Sequence, residues 1–314
     1  MQIIDFTKDW LSQAQTLVQQ NYREACAALP ALPNAAIPPL DHFAENGMGV
    51  AAVEEDRLLG FLGGYLPFRP VYCTQNDAGV WSPLHAHAVQ KEDCEKIWQR
   101  LYQATAEKWT ANSAVYHSIT LYTHDTEAQK ALFFYGFGAR CADLIRPLEE
   151  LPTALLSGGI TFAEVCAADS PLLHPLRTGL MEHLGQSPCF MRLTDAQRND
   201  TLKIRETEPP RMFAAFDNGK PIAYIELDEE AENFVTYTPG MWNICGAYCL
   251  PEYRGKGIAQ VLLAHIIRTL RAENCTLLGV DCETFNPTAI RFWSKYFTPY
   301  TTSVVRRIDE NAVL

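Results

Sequence analysis

The sequence lacks three patterns that would assign its class at once. Its ten cysteines contain no Cys-x-x-Cys pair, and no apolar run approaches the ~20 residues that a membrane-spanning helix requires. Basic residues are not in excess either. The closest cysteines, Cys245 and Cys249, lie in an apolar run typical of a strand. We therefore interpret the cysteines as small core residues of a reduced protein.

The charge balance limits the classes of partner. The chain has 26 Lys and Arg residues against 37 Asp and Glu residues, which gives a formal net charge of −11. A surface of this sign disfavours nucleic acid and anionic membranes, and it suits cationic small molecules. The first residues, MQIIDFTKDWLSQAQ, contain acids and a Trp where a secretory signal needs a basic start and an apolar run. We expect a cytoplasmic protein with no nucleic-acid or membrane partner.

Two histidines are the only candidate metal ligands. His85 and His87 in LHAH would share one face of a strand. They are either part of a metal site or an ordinary histidine pair. Since no third ligand lies nearby in the sequence, we expect no metal.

The order of predicted elements indicates an internal duplication, with two copies of one domain fold. A chain of 314 residues with 47% hydrophobic residues favours two packed domains. Predicted helices and strands follow the same order in each half, and Asp125 and Ala128 match Asn286 and Ala289 at a constant offset of 161. We predict an α/β (α+β) protein with domains at 1–150 and 160–314 and a linker at 151–159. In each domain a mixed, mostly antiparallel sheet would be flanked by helices.

A glycine turn marks the start of one predicted helix in the second half. In PEYRGKGIAQVLL, Gly255 and Gly257 leave the backbone bare where an apolar strand gives way to a helix, and Arg254 and Lys256 add positive charge. Unpaired N–H groups at a helix start, without Cβ atoms in the way, suit a diphosphate. The alternative is a tight turn with a solvated basic pair. Neither a Walker loop nor a Gly-x-Gly-x-x-Gly fingerprint is present.

The segment Arg254-Gly255-Lys256-Gly257-Ile258-Ala259 resembles the coenzyme A pyrophosphate loop of the Gcn5-related N-acetyltransferases, the GNAT family. Asn286-x-x-Ala289-x-x-Phe292 resembles the motif on the pantetheine side in that family. The resemblance covers residues 160–308 in element order and implies a domain that binds acetyl-CoA.

The resemblance also implies roles for individual residues. The amides of Arg254, Gly255, Lys256, Gly257, Ile258 and Ala259 would bind the diphosphate, and the main chain at Cys249 and Leu250 would pair with pantetheine. Asn286 would hydrogen-bond near the thiol. Arg291 would either meet the nucleotide phosphate or be a plain exposed arginine.

The catalytic residues depart from the family pattern. The family's tyrosine, four residues after the motif's alanine, is replaced by Trp293, and a position that can carry a glutamate is Asn243. Tyr296 and Tyr248 are the candidate general acids, although either can be structural. Glu226 is the candidate base, or else a carboxylate on a solvated strand.

The first half does not repeat the glycine turn. At the offset of 161 the turn falls on Asp93-Cys94-Glu95-Lys96-Ile97-Trp98, where two carboxylates would repel a diphosphate. We therefore expect a degenerate copy in 1–150 and one cofactor site per chain.

The predicted function is transfer of an acetyl group from acetyl-CoA to a primary amine of a small molecule, by direct attack in a ternary complex. The alternative is a non-catalytic acyl-CoA-binding or regulatory module. We expect a monomer that is a pseudo-dimer of domains, or a weak homodimer.

Overall fold

The computed structural model describes residues 1–153, 156 and 158–313. These residues form two compact units. Unit 1 comprises Met1–Asp143, Asn233–Val235 and Pro299–Leu314, and unit 2 comprises Leu144–Glu232 and Thr236–Thr298.

Unit 1 contains helices α1 (Leu11–Ala28), α2 (Asp41–Glu45), α3 (Cys94–Ala111) and α4 (Thr126–Phe134). Its strands are β1 (Gln2–Asp5), β2 (Val50–Glu54), β3 (Arg57–Leu62), β4 (Gly79–Ser82), β5 (His87–Val89), β6 (Tyr116–Tyr122), the start of β7 (Gly138–Pro147) and β14 (Thr301–Arg307). Strands β1, β2, β3 and β5 form one antiparallel sheet. In the second sheet β4 pairs with β6 in parallel, and β14 lies antiparallel between β6 and β7.

Unit 2 contains helices α5 (His174–Leu184), α6 (Asp195–Thr207), α7 (Ile258–Ala272) and α8 (Pro287–Trp293). Its strands are β8 (Ile160–Val165), β9 (Arg211–Asp217), β10 (Lys220–Asp228), β11 (Met241–Cys249) and β12 (Leu277–Glu283), and a two-residue strand, β13 (Thr298–Pro299), lies at the unit boundary. The sheet runs β8-β9-β10-β11-β12, antiparallel except for the parallel pair β11–β12. Short 3-10 helices lie at Lys8–Trp10, Ala167–Leu173, Phe234–Tyr237, Pro251–Tyr253 and Glu310–Val313. The predicted fold class, mixed and mostly antiparallel sheets flanked by helices, is confirmed.

The closing strand differs from the predicted division. The prediction assigned 299–314 to the second domain, whereas β14 forms ladders with β6 and with the first residues of β7 and so belongs to unit 1. Of the predicted linker 151–159, residues 154, 155 and 157 lie outside the described residues. The boundaries 1–150 and 160–314 stay a prediction.

Each unit buries the apolar stripe of one long helix. In unit 2, α7 buries Ile258, Leu262, Ile266 and Leu270, which lie on one face of the helix. In unit 1, α3 buries the large rings of Trp98 and Trp109. Burial of apolar surface contributes about 25 cal/mol per Å², so these faces stabilise the packing of each helix.

The two units repeat one order of elements. The β2–β3 and β9–β10 hairpins, the helices α3 and α7, and the helices α4 and α8 follow each other at offsets of 161 to 164. The Asp125 side chain accepts a hydrogen bond from the Ala128 amide at the start of α4, and Asn286 accepts one from the Ala289 amide at the start of α8, both at 3.2 Å. The same cap at the same place favours the predicted duplication.

Candidate functional site

A cleft in unit 2 begins where two parallel strands stop pairing. Within the described ranges, β11 and β12 pair from Met241 with Leu277 to Ile244 with Val280. Both strands continue further, and their unpaired ends line a cleft of about 720 Å³. Unpaired strand edges present N–H and C=O groups on which an extended ligand can add like another strand.

A β-bulge lies where β11 leaves β12. Glu226 faces Gly246 across the β10–β11 ladder, but the next residue, Leu227, faces Ile244. Cys245 is therefore the extra residue, and a bulge of this kind bends and twists its strand. The bend accounts for the opening of the cleft at this point.

The glycine turn lies at the mouth of this cleft. Gly255 and Gly257 adopt left-handed backbone conformations, with φ of +74° and +81°, which glycine tolerates without strain. No side chain caps α7 at Gly257, and Val261 is the first helix amide that donates to a backbone carbonyl, that of Gly257, at 3.0 Å. The N–H groups of Ile258 and its neighbours are therefore open to an anion at the positive end of the helix dipole.

The basic residues of the turn have structural contacts of their own. The Arg254 Nε–H donates to the carbonyl of Cys249 at 2.9 Å, and its guanidinium lies 5.1 Å from the centre of the Tyr248 ring. The Lys256 ammonium lies 5.2 Å from the Tyr253 ring. Arg254 therefore fastens the strand exit to the turn while adding positive charge to it.

The two residues predicted to pair with pantetheine, Cys249 and Leu250, lie in different surroundings. Cys249 lines the cleft, and burial raises the pKa of its thiol to about 11. Leu250 packs instead into the core under α5, and its amide donates to the Ile222 carbonyl at 3.0 Å. The unpaired main chain of β11 at the cleft is the stretch before Leu250.

The Asn286 motif is a helix cap at the cleft wall. Asn286 is 4% exposed, lines the cleft and caps α8 through the Ala289 amide. Arg291 is exposed on α8 and also lines the cleft. The cap explains the Asn-x-x-Ala spacing by local structure alone.

The aromatic residues at the end of α8 differ in accessibility. Trp293 is 5% exposed and packs against Phe292 and Phe297 at ring distances of 4.8 and 5.5 Å. Tyr296 is half-buried in the cleft wall, and burial raises the pKa of its hydroxyl. It therefore stays protonated at neutral pH and is able to donate a proton.

Tyr248 lines the same cleft from β11, and its ring packs on α5. A Cβ placed on Gly179 would lie 2.7 Å from the ring and 3.1 Å from the Tyr248 hydroxyl oxygen. The hydroxyl therefore faces the backbone of α5.

Glu226 is buried in an ion pair. It is 2% exposed, and its Oε1 accepts hydrogen bonds from Nε and Nη2 of Arg177 at 2.8 and 2.5 Å. The same guanidinium donates to the carbonyl and hydroxyl of Ser170, both at 3.0 Å. Because Arg177 binds Oε1 of this carboxylate within a buried network, these contacts argue against Glu226 as the free base. They also exclude the alternative of a solvated carboxylate.

Several residues of the site had no signal in the sequence. Leu180, His183 and Leu184 of α5 line the cleft opposite α8, and Tyr224 lines it from β10. Helical spacing places the three α5 residues on one face, but nothing in that pattern distinguishes a cleft wall from a core. Arg177 was missed because a buried arginine is recognised only by its partner.

The histidines of the LHAH segment, His85 and His87, are both buried. Burial lowers the pKa of both His85 and His87 to about 4, so both imidazoles are neutral. No group of three potential metal ligands occurs within 1–153, 156 and 158–313. Over the same described ranges, no helix has the length and apolar character to cross a bilayer.

Comparison with solved structures finds proteins of similar fold. The GCN5-related N-acetyltransferase from Sphaerobacter thermophilus has a similar structure, with a TM-score of 0.59 and 13% identity over 97% of this chain and 95% of that one. A GCN5-related glucosamine N-acetyltransferase region of a fungal multi-domain GH3 beta-N-acetylglucosaminidase is similar at a TM-score of 0.55 and 15% identity, over 97% of this chain and 38% of that one. At these identities the likeness shows the fold alone.

No curated protein sequence matches the chain. Residues 179–297, however, match the model described as the acetyltransferase (GNAT) family, and they span the cleft, the glycine turn and the Asn286 cap. The match identifies residues 179–297 as a region of this chain that is similar to the acetyltransferase (GNAT) family.

Proposed function

We propose that this protein is an acetyl-CoA-dependent N-acetyltransferase whose acceptor is a primary amine of a small molecule. The observation that carries the proposal is the cleft between the diverging ends of β11 and β12, with the bare start of α7 at its mouth. It supplies a strand edge for an extended chain and an anion site at one end of it.

The residues fit coenzyme A along its length. The amides from Gly255 to Ala259 would hold the diphosphate, and the open edge of β11 up to Cys249 would pair with pantetheine. Arg291 would meet the nucleotide end, and Asn286 contributes chiefly as the cap of α8. The chemistry that bound acetyl-CoA would supply is an acetyl thioester, whose C–S bond is exchanged for an amide C–N bond.

The chain's own groups orient the reactants and move protons. The cleft walls from α5 and α8 exclude water and hold the amine beside the open edge of β11. Tyr296 is the proposed proton donor to the departing sulfur, because its hydroxyl is in the cleft wall and stays protonated. His183 on α5 also lines the cleft and is the proposed base for the amine.

Two measurements on the full chain test the proposal. Isothermal titration calorimetry with acetyl-CoA should give binding, and thiol release in the presence of a panel of primary amines should exceed the release without amine. Binding without amine-dependent release would support the non-catalytic module instead, a candidate that the buried Trp293 at the family's tyrosine position favours. Absence of acetyl-CoA binding would overturn both.

A further inference from the structure

Behind the cleft wall, two oxygens lie close to the position that a side chain at Gly246 would take. A Cβ placed on Gly246 would lie 3.1 Å from Glu226 Oε2 and 3.6 Å from the Tyr224 hydroxyl oxygen. Gly246 and Tyr224 both line the cleft, and Tyr224 and Glu226 are each 2% exposed. We call these three residues the amine corner.

Arg177 holds the carboxylate of Glu226 in position in the corner. Both of the short hydrogen bonds from Arg177 end on Oε1 of Glu226, whereas Oε2 is the oxygen beside Gly246. The guanidinium is itself anchored by Ser170 and by Met212 Sδ, at 3.2 Å from Nη2. The carboxylate therefore cannot rotate away without breaking a buried network.

Stability alone does not explain this ion pair. Desolvation of two buried charges offsets most of their attraction, and apolar residues of similar volume commonly serve a core as well or better. The neighbouring positions are apolar, since Met212, Ala214 and Leu176 form the core cluster around Tyr224. A buried carboxylate with one oxygen turned to a glycine on a cleft wall is instead suited to a cationic ligand.

The chemistry of the corner selects a ligand that donates hydrogen bonds. Glu226 Oε2 accepts only, and a hydroxyl such as that of Tyr224 can accept as well. Burial raises the pKa of Tyr224, so it stays neutral and adds no second charge. An ammonium group has three N–H donors and one positive charge, and so matches both oxygens.

We propose that the amine corner, Glu226, Tyr224 and Gly246, binds the ammonium form of the acceptor, with Arg177 as the residue that positions Glu226. This inference rests on the proposed function and deepens it, because it restricts the acceptor to amines that arrive as cations. Glu226 then selects and holds the acceptor rather than removing its proton.

Binding of a matched pair of probes tests the corner without any turnover. Tyramine carries an ammonium group, and tyrosol has a hydroxyl group in its place. Saturation-transfer NMR on the full chain with coenzyme A should show that tyramine binds more tightly than tyrosol. Glu226→Gln keeps the shape and removes the charge, so it should weaken tyramine about tenfold or more and leave tyrosol unchanged. Glu230→Gln, on an exposed carboxylate, is the matched control.

A second variant covers the case in which Glu226→Gln fails to fold with Arg177 unpaired. Gly246→Ala keeps both charges of the ion pair and puts a methyl group into the corner, 3.1 Å from Glu226 Oε2, so it should weaken tyramine by a similar factor. Gly138→Ala, whose Cβ would meet nothing within 4 Å, is its control. Equal binding of the two probes by the wild type, or unchanged tyramine binding in Gly246→Ala, overturns the inference.

A measurement of acetyl-CoA binding distinguishes a failure of this inference from a failure of the proposed function. Its dissociation constant is measured in parallel and should be the same in wild type and Glu226→Gln. If acetyl-CoA binds and amines are acetylated while the corner variants behave as wild type, the corner is wrong and the function stands. If acetyl-CoA does not bind, the function is wrong whatever tyramine does.

Discussion

At the residue scale, unit 1 is notable for its buried imidazoles. His85, His87 and His117 are at most 8% exposed, and burial lowers the pKa of each to about 4 from an ordinary value near 6.5. The unfolded chain therefore binds more protons than the folded one between pH 6.5 and 4. Stability is full above pH 6.5 and falls as the pH drops through this window, on the order of 3 kcal/mol per histidine.

Replacing His85 should make the protein less sensitive to acid. His85 packs its ring against Phe43 and Phe234, and its Nδ1 has no hydrogen-bond partner among the described residues. His85→Phe keeps an aromatic ring in that place without a titrating group. We expect its melting temperature to fall less between pH 6.5 and 4.5 than that of the wild type. His42→Gln, at an exposed position, should follow the wild type, and an equal fall in all three proteins would contradict the assignment.

The proton donor is also a matter of single residues. Tyr296→Phe should lower kcat for the best amine of the panel by about a hundredfold, the usual size of a general-acid contribution, and leave KM for acetyl-CoA unchanged. Tyr248→Phe is the matched variant, and we expect a smaller loss because its hydroxyl faces the α5 backbone at Gly179. Steady-state kinetics decides between them, and a large loss in Tyr248→Phe alone would reverse the assignment.

At the element scale, the connection from strand to helix distinguishes the two units. Eight residues, 250–257, join β11 to α7 in unit 2, whereas four residues, 90–93, join β5 to α3 in unit 1. Asp93 has the left-handed conformation at the start of α3, with φ of +54°, that Gly257 has at the start of α7. The expected match of Asp93 to Arg254 is therefore wrong, because a constant offset of 161 does not allow for the shorter connection. The turn differs in length as well as in sequence.

The left-handed backbone at Gly257 provides a test of the turn. Gly257→Ala should cost about 1 kcal/mol of stability and place a methyl group where the helix amides meet the diphosphate. We expect acetyl-CoA to bind at least tenfold more weakly by calorimetry. Gly219→Ala is the control: Gly219 also has a left-handed φ, of +79°, in the β9–β10 hairpin, with open space around it. Equal weakening in both variants would show that strain, and not the turn, is responsible.

Prediction from sequence succeeded for elements that local patterns determine. The order of strands and helices and the start of α7 at the glycine turn were readable, because propensity and periodicity act within a few residues. The bulge at Cys245 was not, since it depends on how β10 and β11 align. Nor was the pairing of Glu226 with Arg177, 49 residues apart in sequence.

At the scale of the whole molecule, unit 1 repeats the order of elements of unit 2. At the position that corresponds to the cleft, however, unit 1 has large side chains. Leu62 and Ile225 are the sixth residues of β3 and β10, and their cross-strand partners are His87 and Ala247. Ala247 lines the cleft of unit 2, whereas the His87 ring spans the gap in unit 1 and its Nε2 lies 2.8 Å from the Thr120 carbonyl oxygen. The fully buried Trp98 packs against His87 at 5.1 Å between ring centres.

One acetyl-CoA should therefore bind per chain. The four-residue connection in unit 1 offers no glycine turn, and the His87 ring reaches the Thr120 carbonyl of β6 with the Trp98 ring of α3 packed against it. Calorimetry on the full chain should give a stoichiometry near one, and Gly257→Ala should weaken that single site. His87→Ala is the sharper variant, because it removes the ring that spans the gap in unit 1. Without an anion site at the start of α3, the stoichiometry should stay at one even then, and a second binding event in the wild type or in His87→Ala would show that unit 1 has kept a cofactor site.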